Sequence, residues 1–156
     1  MTKKFKFEFE GGGVLIADIC EEAADTANLF AEQCPRTMEM LHCVSACHEI
    51  TTDDIPVSRP IPEENLVHFG EIGDVATVSG NQSVTLTGLE KIGYTTLCFV
   101  YGPHQRFQGT KVQTNRATVF ARIHENLDLL REIGHCIHIH GNEKVTMTCY
   151  EESEVK

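Results

Sequence analysis

Three histidines and a cysteine fall within eight residues at 134–141, GHCIHIHG. Read as a strand, this stretch puts Ile137 and Ile139 on one face and Cys136, His138 and His140 on the other. A His-x-His pair on a strand supplies two donors to zinc, which wants three or four, and no third donor lies nearby in sequence. The following residues, GNEK, suggest a hairpin with a three-residue loop at 141–143. That register pairs Ile139 with Val145 and Ile137 with Met147, and leaves Cys149 on the apolar face, away from the imidazoles. The expectation is a polar outer face or a subunit contact, not a metal site.

A second candidate is HCVSACHE (42–49), where Cys43 and Cys47 are four apart beside His42 and His48. No second cysteine pair at zinc-finger spacing follows. A nucleophilic Cys–His pair is the reactive alternative, and packing as small apolar side chains is the expected role of most of the seven cysteines. Third, PIPEENLVHFGEIGD (60–74) carries Glu63, Glu64, Asn65 and His68 just after a proline-stiffened segment. A rigid loop presenting a carboxylate and an amide can orient a small polar ligand and move a proton. Fourth, YGPHQRFQG (101–109) follows the most apolar run and adds Tyr101, His104 and Arg106, whose guanidinium suits an anionic group. GGGVLIADI runs from turn to strand, so it is no phosphate-binding loop, and no Gly-x-Ser-x-Gly elbow occurs.

The elements that must position these groups follow from patterning. KFKFEFE (4–10) alternates strictly, with Phe5, Phe7 and Phe9 on one face; GGG turns and VLIADI (14–19) returns as a second strand. Residues 21–33 are Ala- and Glu-rich and predict a short helix. Pro35 suits the first turn of another helix over 34–46. Residues 51–62 hold three prolines and two aspartates and read as a stiff exposed loop. GDVATVSG and YTTLCFVYG (94–102) are strand runs, the second apolar enough to be buried on both faces. A helical stripe runs through 119–134 and stops at Gly134, and two closing strands flank GNEK.

At 156 residues, the chain reads as one domain spanning 1–156. Its 23 acidic against 13 basic residues, net −10, argue against nucleic acid or an anionic membrane as partner. No apolar run reaches membrane-spanning length, and the polar N-terminal stretch lacks a signal-peptide core. An odd cysteine count without such a signal points to the cytoplasm and reduced thiols.

An α+β, mainly β protein follows, a barrel or a sandwich. The order of its pieces resembles the cyclophilin-like closed β-barrel with two or three short helices; Cys34-Pro35-Arg36-Thr37 stands where that fold starts a helix. Within the fold, HE (48–49), PIPEEN (60–65), GEIGD (70–74), FVYG (99–102) and TNRATVFARI (114–123) are similar to a small prokaryotic family of unknown function. SACHE (45–49) occupies the place of that family's RWSGE-type stretch and shares its Glu49. The resemblance adds Glu49 and Asn115 to the candidate residues and supports Glu64, Asn65 and Tyr101. Cyclophilins proper are prolyl isomerases, but their Phe-His-Arg strand is absent, and Arg59 in VSRPI does not match it.

The function expected is therefore small polar metabolite binding at a barrel mouth, with no cofactor and with acid–base chemistry on a carbonyl or cyclic amide compound if the protein is an enzyme. Glu49 or Glu64 would be the base, Asn65, Tyr101 and Asn115 would orient the substrate, and Arg106 would pair an anionic group. The alternatives are a non-catalytic binding or assembly protein, homo-oligomeric through the histidine face, and a prolyl isomerase.

Overall fold

The computed structural model describes residues 2–43, 48–77, 94–107 and 116–153. The opening hairpin forms as its alternation predicts: β1 (Thr2–Phe9) pairs with β2 (Val14–Ile19), Phe7 opposite Leu15. Phe5 and Phe7 are fully buried and Phe9 nearly so. After a 3-10 turn at Glu21–Ala23 comes α1 (Ala24–Ala31), then β3 (Arg36–His42), β4 (Glu49–Thr52), β5 (Asp74–Thr77), β6 (Leu97–Val100), β7 (Ala117–Ile123), α2 (Leu127–His140) and β8 (Glu143–Glu152). Among the described residues the strands run β2-β1-β8-β3-β4-β6-β5-β7, and β7 pairs back onto β2, so the sheet closes into an eight-stranded antiparallel barrel. Closure removes the unpaired edges that an open sheet presents.

The barrel interior is filled from alternate positions of each strand. Phe7 meets Phe99 edge-on at 4.8 Å, and Met38, Met40, Ile50, Val145 and Met147 complete the packing. α1 lies on β7, with Phe30 stacked on Phe120 at 4.4 Å, and α2 lies on β3 and β4. A second, smaller cluster covers part of the barrel's outside, where Ala76, Cys98, Val100, Ala117 and Val119 pack with Phe107. A short ladder lies over it, Phe69–Gly70 against Gln105–Arg106. A β-carbon at Gly70 would stand 2.6 Å from Val100 Cγ2, so only glycine lets this ladder approach so closely.

Two expected elements take a different form. The described part of the expected helix over 34–46 is not helical: Arg36–His42 is a strand whose Met38 and Met40 point inward, paired with β8 on one side and β4 on the other. The expected helix over 119–134 divides into strand β7 and helix α2, and α2 continues through the supposed strand at 136–140. The reason is that β8 has β1 on one edge and β3 on the other, so no ladder position is left for a partner at 136–140. The apolar spacing also favours helix, because Leu130, Ile133, Gly134 and Ile137 are buried at i, i+3, i+4 and i+7. Gly134 is interior to α2, and Gly141 ends it at φ +97°. The expected burial of the 94–102 run holds, with Leu97–Val100 all buried.

Candidate functional site

The rotation of α2 decides which of its polar groups gather. With Leu130, Ile133 and Ile137 turned inward, Arg131, His135 and His138 share an outer face at spacings of four and three. They stand across a cleft of about 440 Å³ from Tyr101, at the end of β6, and His48, just before β4. Glu132 is the carboxylate in its lining. His138 and His140, two apart on a helix, do not share a face as they would on a strand.

Tyr101 is 6% exposed and forms the inner wall of the cleft. Its ring lies against Gly134, where a β-carbon would stand 2.3 Å from Tyr101 Cγ. Edge-on contacts to His42 (5.7 Å) and His48 (5.5 Å) hold it from two further sides. The Tyr101 hydroxyl is 2.7 Å from His42 Nε2, and His42 Nδ1 is 3.0 Å from the Cys43 carbonyl. His42 in turn stacks on His138 at 4.1 Å. Burial, and then the neighbouring His138 charge, hold His42 below the ordinary histidine range. His48 donates from Nδ1 to the Pro103 carbonyl at 2.8 Å, which fixes its ring at the cleft edge.

Glu49 is the other unusual group. It pairs with Val100 across the β4–β6 ladder, so its side chain projects to the outer face that carries the smaller cluster. It is 7% exposed, and loss of water raises its carboxyl to about 7. Gln105 Nε2 donates to Glu49 Oε2 at 3.0 Å, while Gln105 Oε1 accepts the His48 backbone N–H at 2.9 Å. One amide thus joins the buried carboxyl to the backbone of a residue lining the cleft. The Cys98 thiol beside Glu49 is pushed well up by burial, which opposes thiolate formation.

The remaining expected residues lie elsewhere. Glu64 Oε2 accepts from Thr26 N at 3.0 Å and Thr26 Oγ1 at 2.8 Å, so a carboxylate from a distant loop caps the first turn of α1. Asn65, at φ +40°, donates from Nδ2 to Val119 O at 2.8 Å and ties its loop to β7. Arg106 is exposed, opposite Phe69 in the short ladder. Asn115 and Cys47 lie outside the described residues. Of the expected set, then, Tyr101 lines the cleft and Glu49 is one residue from it. Arg131, His135 and His138 went unrecognised as a group, although their spacing is visible once 127–140 is read as a helix.

A closed eight-stranded barrel with two helices of this order is a cyclophilin-like fold. Residues 10–149 match the family described as "Protein of unknown function (DUF3830)", and the chain belongs to that family. Among solved structures it is similar to McbB in complex with tryptophan, with a TM-score of 0.64 and 16% identity. That match covers 97% of this chain and 46% of the other, so the chain spans about half of that protein's length. The hypothetical protein AF2241 from Archaeoglobus fulgidus is similar over 94% of both chains, at TM-score 0.55 and 19% identity. The Mimivirus cyclophilin is similar over 97% of this chain and 90% of its own, at TM-score 0.57 and 13% identity. At such identities the likeness concerns the fold. No curated protein matches the chain. Among the described residues, no helix is long and apolar enough to cross a membrane.

Proposed function

We propose that this protein binds a small polar metabolite bearing an anionic group in the cleft between α2 and the end of β6, and that the site supports proton transfer on a carbonyl or cyclic amide compound. The carrying observation is the lining itself: one guanidinium and three imidazoles around a buried tyrosine, in a chain of net charge −10. Arg131 offers an anion a partner there, with Glu132 as the carboxylate of the lining, and the volume suits a small molecule. Arg131, in place of the expected Arg106, pairs the anionic group. Tyr101 orients the ligand, and Glu49 stands one residue from the lining, joined through Gln105 to the His48 backbone. That McbB is known with bound tryptophan adds that a barrel of this shape can accompany a small ligand.

Isothermal titration with small carboxylates and their amides tests the reading. Carboxylates should bind and amides should not, and Arg131→Gln should weaken binding about tenfold or more, the worth of one charge-assisted hydrogen bond. Carboxylate binding that survives Arg131→Gln and His138→Ala together would place the ligand elsewhere.

A further inference from the structure

The hydrogen bonds around His42 specify their own direction. The Cys43 carbonyl can only accept, so Nδ1 of His42 carries a proton. In neutral His42 the other nitrogen, Nε2, is then bare and accepts the Tyr101 hydroxyl proton at 2.7 Å. In protonated His42 the same contact reverses, with Nε2–H donating to the phenolic oxygen. A single short contact serves both states, so a proton can cross it without either ring turning. Tyr101 is anchored for this task by Gly134 and His48, and His42 by its stack on His138.

We propose that Tyr101 and His42 form a proton relay serving the cleft, in which Tyr101 takes a proton from a weak C–H acid, a 2-oxo or related carbonyl carboxylate, and passes its own to His42. In this step the ligand C–H bond breaks and its electron pair stays on the ligand as an enolate. A new O–H bond forms at Tyr101, the old one breaks, and an N–H bond forms at His42 Nε2. One negative and one positive charge appear, so the total is unchanged, and return of a proton to the ligand resets the pair. Arg131 across the cleft faces the enolate. The groups facing His42 are His138 from α2, Tyr101 from the end of β6, and His48. Among the described residues none of these is a carboxylate, and burial with the neighbouring His138 favours neutral His42, ready to accept. The relay rests on the cleft being the ligand site.

Two measurements separate the failure of the relay from that of the binding site. Heteronuclear NMR of the ring nitrogens should show His42 as the Nδ1–H tautomer at pH 7, and Tyr101→Phe should shift its Nε2 resonance. Pyruvate and phenylpyruvate in D2O should lose their acidic C–H signals faster with protein than in buffer. Tyr101→Phe should slow that exchange about tenfold or more when measured at saturating probe. The acid limb of the rate profile should move to higher pH in His138→Gln, because a like charge is removed from beside His42. A His42 found as the Nε2–H tautomer, or probes that bind without exchanging, or exchange unaffected by Tyr101→Phe, overturns the relay. Probes that fail to bind overturn the cleft as a site for this class, and the relay that rests on it.

Discussion

Gly134 lies so close against the ring of Tyr101 that a β-carbon on it would stand 2.3 Å from Tyr101 Cγ. The contact sets how deeply α2 sinks against the end of β6, and hence the depth of the cleft between them.

Gly134→Ala should therefore destabilise the protein, although alanine is the better helix former by about 1 kcal/mol. Overpacking of a buried contact costs about 1–3 kcal/mol and should win. Chemical denaturation will report the sign, and a more stable variant would mean that the Tyr101 ring has room to retreat.

Glu49 should make the fold less stable as pH rises. Its folded value, about 7, lies above its unfolded value, so between about pH 4.5 and 7 the folded state binds more protons than the unfolded chain. Stability then falls through that window and levels off above it, by about 3 kcal/mol if the whole shift is expressed. Glu49→Gln keeps an acceptor for Gln105, has no charge to bury, and should flatten this dependence. Denaturation curves for the two proteins that stay parallel from pH 5 to pH 8 would refute the assignment.

Glu64→Ala should lower stability by about 1–3 kcal/mol, because the Thr26 N–H and its buried hydroxyl both lose their acceptor. Glu64→Gln retains an oxygen and should cost less than half as much. Carboxylate binding measured in both variants should match wild type; a selective loss of binding would return Glu64 to the ligand site.

Asn65 combines a positive φ of +40° with a side-chain bond to Val119 O. Glycine tolerates that backbone and alanine does not, so Asn65→Gly should be the more stable of the two by about 1 kcal/mol. Thermal melts that rank alanine above glycine would show that the positive φ is not what this position selects for.

Several elements were legible before any coordinates. The alternation at 4–10 located β1 and its inward phenylalanines, and the unbroken apolar run at 97–100 marked a strand covered on both faces. Patterning alone left a barrel or a sandwich, and the cyclophilin-like resemblance pointed to the barrel. Tyr101 and Glu49 were singled out, but not what surrounds them. In RTMEMLH, methionines and leucine are good helix formers, and the period-2 burial of Met38 and Met40 was obscured by Leu41 directly after them.

The GHCIHIHG stretch shows where local pattern stops. Over five residues, Ile137 and Ile139 alternate as a strand would; over ten, Leu130, Ile133 and Ile137 repeat as a helix does, and Ile139 is left 59% exposed. A short window cannot choose between periods of 2 and 3.6. The choice fell to tertiary pairing, because β1 and β3 occupy both edges of β8 and leave only helix for the chain before it. What the amino-acid order determined by itself was the set of apolar positions and a mainly β architecture, barrel or sandwich. What only the folded structure decided was which polar residues meet, because the cleft is assembled from three segments whose mutual distance no local pattern records: His48, Tyr101, and the 131–138 face of α2.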